Sequence, residues 1–308
     1  MPRDPRARDR VTPHARARRI RRERYVSYDP GMGRSSEESP LRRIHSEASL
    51  LGGAAYAILL QIAHPSVAQG VHDHSDFTSR PLDRLRGTLY YVYGTSLGTD
   101  EERARVQAIV RAMHRRVNGP GYRALDHDLL LWVAATLFHT WTRLYELTVG
   151  EIDEDEYPVF LREAAVFATA LGLPEEEWPA TPEAFDAYWA DAVGRLEVGE
   201  TALRLSRQIF RPANRLWWPI TSVQRFLAGG LLPPKLREGF GIPWSPARQR
   251  RFDRVVRVTR TVYPRLPHAL RALPSRLYLR SMRRNGGWTK PRGTRGSRAS
   301  HRTGGVRG

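Results

Sequence analysis

The sequence predicts an all-α protein built around one large helical domain. Three observations carry that expectation. Alternating β-branched runs bounded by Asn-Gly or Asp-Gly turns are missing, and helix-starting and helix-stopping residues recur along the chain. The stretch Leu129–Leu147 is also apolar almost all round, as a helix buried on most sides must be.

The elements follow in order. Ala48–Ala63 is the longest uncharged run, contains Gly52, Gly53 and Gln61, and is too short for the roughly 20 apolar residues of a membrane span; it reads as a buried core helix. Thr99-Asp100-Glu101-Glu102 is a capping box, Thr99 at the N-cap and Glu102 at N3. The helix it opens carries Val106, Val110, Met113 and Val117 along one side until Gly119-Pro120-Gly121 stops it. Asp126 caps the apolar helix that Gly150 ends. Further helices are expected at about 155–171, closed by Gly172, at about 182–196, opened by Thr181 with Pro182 at N1, and near 199–210. Gly229–Lys235 reads as a turn and a helix start. Ser245-Pro246 opens a long basic helix in which Phe252, Val255, Val256, Val262 and Tyr263 form one stripe, expected to close the core.

Charge divides the chain into three parts. Of the formal +18, residues 1–24 contribute +7 and residues 283–308 contribute +8, so the stretch between is nearly neutral. Both ends are rich in Arg, Gly, Pro, Ser and Thr and poor in large apolar residues, so burial would not offset their ordering entropy. The expected organisation is a basic, disordered tail at 1–40, a helical domain at 41–282 and a second basic, disordered tail at 283–308. Arg-rich tails bind phosphate backbones without sequence preference, which leaves open a non-enzymatic module for anionic partners. Aromatic residues for base stacking are almost lacking there, so no specific nucleic-acid partner is expected. The basic helix at 246–265 would also suit peripheral contact with an anionic membrane. No apolar segment follows the Arg-rich start, so no export signal is read and the expected location is cytoplasmic. The sequence does not indicate an oligomeric state.

The absence of cysteine excludes disulfides, thiolate metal sites and a cysteine nucleophile. No G-x-S-x-G elbow, GxGxxG or Walker-type loop occurs. Histidine is the residue to follow. His114 shares the flank of Val110 and Val117, with Arg111 one turn earlier. That pattern suits axial ligation of haem iron beside a propionate-pairing guanidinium, and by spacing alone it suits a satisfied core histidine better. A second cluster, HPSVAQGVHDHSDF from His64 to Phe77, together with His127-Asp128, suggests a divalent-metal hydrolase using His72, Asp73, His127 and Asp128.

Taken together, LLGGAAYAILLQIAHPSVAQGVHDHSDF, RLRGT, RAMHRRV, GPGYRALDHDLLLWV and LREGFGIPW occur in one order between about His45 and Trp244. The set resembles the catalytic domain shared by latex-clearing rubber oxygenases and MpaB-type oxygenases. The resemblance implies a globin-like helical bundle around haem b, with His114 as the iron's proximal ligand and Arg111 as the arginine preceding it by three. It implies Arg84 and Thr88 as polar haem-pocket residues and His64, of the HP signature, as a pocket residue. O2 and a small, apolar substrate are the implied reactants. Gly87 stands where the latex-clearing enzymes have a lysine, and their glutamate base has no clear counterpart upstream of Arg84, where Gln61, His64, Gln69, His72 and His74 stand instead. With no export signal read, those departures point away from rubber.

Overall fold

A computed structural model describes residues 39–74, 81–212 and 214–284 of the chain, with only the backbone for 81–85. Fifteen α-helices are found among these residues, together with one two-residue β-hairpin. The described residues fall within one unit, Glu38–Gly308. The expected tails therefore lie outside the described residues, apart from Ser39 and Pro40 at one end and Arg283 and Arg284 at the other.

The organising element is α6 (His127–Thr148), with thirteen of its twenty-two residues buried. Two of its buried hydroxyls turn back on the helix: Thr140 Oγ1 donates to the Thr136 carbonyl and Thr148 Oγ1 to the Leu144 carbonyl, each at 2.7 Å. Elements pack around it from every side. A 3-10 segment, Ala48–Gly53, crosses so closely that a Cβ on Gly53 would meet Thr140 Cγ2 at 2.5 Å. Helix α2 (Ala54–Ala63) follows and is buried along most of its length, as expected for a core helix. On the opposite flank lie α1 (Pro40–His45), α7 (Glu156–Ala164) and α8 (Val166–Thr169). Glu163 of α7 caps α1, accepting from Ser39 Oγ at 2.8 Å and Leu41 N at 2.9 Å. Phe138 of α6 is fully buried, with ring centres 4.9 Å from Phe160 and 4.8 Å from Phe185, the latter on α9 (Pro182–Arg195).

A second apolar cluster joins α2 to α10 (Glu200–Phe210), α11 (Trp218–Leu231) and α12 (Pro234–Gly239), with Trp132 of α6 inside it. Gln224 of α11 bonds Leu51 O and Ala55 N, joining α11 to the crossing segment. Outermost are α13 (Pro246–Val262), α14 (His268–Arg271) and α15 (Leu273–Arg284). Buried Glu47 receives Tyr263 Oη at 2.8 Å and Arg271 Nη1 at 2.7 Å, which holds this outer layer to the first core segment.

Local signals were good guides. Both hydrogen bonds of the Thr99/Glu102 capping box form, and Thr181 and Ser245 cap α9 and α13. Three expectations need correction. The helix from Thr99 ends at His114, so Val117 lies outside it, and Met113 is 48% exposed. The chain turns there into the hairpin Asn118–Gly119 (β1) and Tyr122–Arg123 (β2), with Gly121 at φ +79° in the turn. Asp126 precedes α6 but makes no cap; its carboxylate is taken by Arg123 N and Nε, both at 3.1 Å. The 155–171 helix is broken at Ala165 into α7 and α8, while Gly172, at φ +122°, does end the stretch.

His45 was not anticipated. It is fully buried among Trp141, Phe160 and Phe167, and neither ring nitrogen has a hydrogen-bond partner among the described residues. Burial lowers its pKa from 6.5 to about 3, so the folded protein holds it neutral. Between those pH values the unfolded chain binds a proton that folded His45 does not. Stability therefore falls as pH drops below 6.5, by up to about 1.4 kcal/mol per unit. Urea unfolding between pH 7 and pH 4 should show this slope, and His45→Leu should flatten it. In the same assay at neutral pH, Phe138→Ala should lower stability by about 3–5 kcal/mol through the cavity it opens.

Candidate functional site

Helices α4 (Pro81–Leu97) and α5 (Asp100–His114) form an antiparallel hairpin joined at Gly98-Thr99. Its register is set where Gly94 meets Val106: a Cβ on Gly94 would lie 3.0 Å from both Val106 γ-methyls. At about 1.5 Å per residue, Thr88 lies about 9 Å from that level, His114 about 12 Å and Arg84 about 15 Å, all towards the open end of the hairpin. The fold thus brings to one end the residues that the sequence spaces thirty positions apart. Arg84's side chain lies outside the described residues; Thr88 is exposed on α4.

His114 is half-buried at the last residue of α5. Its Nδ1 lies 2.9 Å from the Val110 carbonyl, one turn back. A carbonyl only accepts, so Nδ1 is the donor in this bond. This second-sphere bond is the one that orients ligating imidazoles and raises their basicity. The carboxyl end of a helix also places negative partial charge nearby. Arg111 is exposed, and its guanidinium reaches the turn at Gly172, where a Cβ would sit 3.4 Å from Nη2.

The histidine-aspartate segment has a different use from the metal site its composition suggested. It is helical, α3 (Pro65–His74), and bends 107° from the preceding stretch. Asp73 accepts from Gln69 Nε2 at 2.7 Å and Tyr122 Oη at 2.8 Å, and lies 3.0 Å from His72 Nδ1. Those bonds, His72's first, hold its carboxyl below the usual range, while burial and Asp73 push the Tyr122 phenol up to about 12. His74 Nε2 bonds the Asn118 carbonyl at 3.0 Å, and Gly70 leaves room for the Tyr122 ring. Helix α3 is therefore a clamp on the hairpin that directly follows His114. His127 pairs instead with Glu177 at 2.8 Å. Among the described residues no three His, Asp or Glu come together to hold a metal ion, so the hydrolase constellation of His72, Asp73, His127 and Asp128 does not assemble.

His64 sits at the corner between α2 and α3, its amide on Gln61 O and its carbonyl receiving Ala68 N. The imidazole is half-buried, its Nδ1 without a hydrogen-bond partner among the described residues. Burial lowers its pKa, against the opposing pull of Asp128. An open hollow of about 530 Å³ lies beside the clamp, lined by Arg115, Asn118, Arg123, Leu125, Asp126 and His127. Tyr122 and Asn118 went unremarked in the sequence; the GPGY turn at 119–122 was the available signal.

With this geometry in view, comparison with known families is decisive. The catalytic domain described as ER-bound oxygenase mpaB/B'/Rubber oxygenase matches residues 41–261. The chain belongs to this family. The mpaB/rubber-oxygenase match spans α1 to nearly the end of α13 and includes each candidate residue named above. Two mycobacterial relatives, the uncharacterized proteins Rv2237 of Mycobacterium tuberculosis and Mb2261 of Mycobacterium bovis, are each 30% identical over 239 residues. These alignments cover 73% of this chain and 93% of each relative. No solved structure matches. Among the described residues no single helix of this family member is long and apolar enough to cross a membrane; one bent pair, Ala48–Ala63 with Pro65–His74, passes by length and composition.

The clamp on the hairpin is open to test. Tyr122→Phe removes one of its bonds and should speed amide hydrogen exchange across residues 117–123, read by mass spectrometry, while leaving α6 protected.

Proposed function

We propose that this oxygenase-family domain holds haem b through His114 and oxidises a small, apolar substrate with O2. The observation that carries the reading is the His114 Nδ1–Val110 carbonyl bond, the kind of contact that orients a ligating imidazole. The donor chemistry fits in a further respect. His64 adds a buried, unpartnered ring nitrogen on a neutral imidazole, available to a group absent from the polypeptide. When bound, the haem supplies a redox-active iron for O2-dependent oxidation, within what the resemblance implies is a globin-like bundle.

The chain's own residues divide the remaining work. Val110 fixes the proton of His114 on Nδ1. Arg111 and Arg84, at the open end of the hairpin, are the proposed partners of the propionates, a charge-assisted pairing suited to guanidinium. Thr88 is proposed to donate a hydrogen bond on the substrate side, and His64 to donate or accept one there. Gly87 offers no side chain where the latex-clearing enzymes have a lysine. Helix α3 and the 117–123 hairpin keep His114 oriented from the other side.

Absorption spectroscopy of the haem-reconstituted protein tests the reading. A Soret band is expected for the native chain, and His114→Ala should abolish or shift it, with partial recovery on adding imidazole. A native protein without a Soret band, or a His114→Ala band indistinguishable from the native one, overturns it.

A further inference from the structure

The outer layer formed by α11, α13, α14 and α15 leaves apolar side chains facing solvent. All the large apolar residues exposed among the described residues, apart from Met113, lie between Leu216 and Leu277. Of the α13 stripe expected to close the core, Phe252 is 7% exposed and packs over Gly230, and Val256 and Tyr263 are partly buried. Val255, Val258 and Val262 form a neighbouring stripe at spacings of three and four and stay exposed, Val258 at 56%. Ile220 and Val223 of α11, Leu270 of α14 and Leu277 of α15 are exposed as well. These elements share one platform. Gln224, Tyr263, His268, Arg271 and Ser275 all bond the segment 46–55.

Charge decides what covers such a layer. Residues 211–284 contain seventeen Arg and Lys against two acids, Glu238 and Asp253, whereas residues 25–210 contain seventeen against twenty-seven. The near-neutral body is therefore strongly polarised, and its basic part is the part with the exposed apolar side chains. Arg251 precedes Val255 in the same stripe of α13, and Arg276 and Arg280 flank Leu277 on α15. Arg215 lies over the exposed Trp218 ring at 4.5 Å. A second copy of this chain would oppose arginine to arginine across the layer. An anionic bilayer accepts both components: the aliphatic side chains enter the headgroup boundary while guanidiniums meet lipid phosphates.

We propose that the α11–α13–α14–α15 layer docks on the surface of an anionic phospholipid membrane, its arginines on phosphates and its exposed valines and leucines in the interface. This proposal is independent of the haem assignment.

Co-sedimentation of the full chain with phosphatidylcholine vesicles, with and without phosphatidylglycerol, tests it. Binding is expected with phosphatidylglycerol and not with phosphatidylcholine alone. The pair Val258→Glu, Val262→Glu should weaken it at least about tenfold, since apolar insertion adds to the electrostatic attraction. Arg251→Glu with Arg276→Glu should weaken it comparably, which keeps the test open if the valine pair fails to fold. Trp218 provides a third reading: vesicles should blue-shift the native fluorescence, and Trp218→Phe should remove that part of the shift. Three results overturn the proposal: binding that ignores both pairs, which assigns it to the terminal arginines; equal binding to neutral vesicles; or a vesicle-free dimer that the valine pair dissociates.

Discussion

A helix with most of its circumference apolar has to be enclosed, and the enclosure of α6 is the constraint from which the rest of the architecture follows. No single neighbour covers it. The crossing at Gly53 takes one side, α7 and α8 with Phe160 and Phe167 take another, and α2 and Trp132 lead into the second apolar cluster. Thr136, Thr140 and Thr148 of α6 help by returning their hydroxyls to the helix's own carbonyls. Burying them without such bonds would cost on the order of 1–3 kcal/mol each.

The candidate site is built at the margin of that enclosure, where packing loosens. Val106 and Val110 hold α5 to the core, and the next turn runs past it, so His114 is left half-buried at a helix end. That position suits the proposed ligand, which is oriented by a backbone carbonyl and favoured by the helix dipole. Helix α3 then fixes the following hairpin through Asp73 and His74, acting on His114 from a segment forty residues earlier. The histidines most conspicuous in the sequence thus position the chain, and a less conspicuous one is the proposed ligand.

What was legible in advance followed the range of the interaction concerned. The Thr99 box, the Thr181 and Ser245 caps and the Gly172 stop are completed within three or four residues, so residue identity suffices to find them. The terminal charge was equally plain, but the polarity of the body was hidden by cancellation. Helices α4, α11 and α15 were not foreseen; α4 in particular mixes small and aromatic residues without a clean stripe. They are held by distant partners: Arg283 on Glu102, Tyr90 with Ser281, Gln224 on Leu51. His72, Asp73, His127 and Asp128 suggested a metal site because pairs adjacent in sequence look like ligands. Asp73 and His127 instead find Tyr122 and Glu177, some fifty residues away in each case.

By itself the sequence determined the all-α class, most helix starts, the basic ends and an ordered set of motifs that resembles, and proves to belong to, an oxygenase family. The tertiary structure alone decided which face of each helix is covered. It placed His45 in an aromatic core, turned α3 into a clamp, and left the Val255–Val262 stripe facing outward. The division has one physical reason. Caps and charges are properties of neighbouring residues, whereas burial and imidazole tautomers depend on which atoms arrive from elsewhere in the chain.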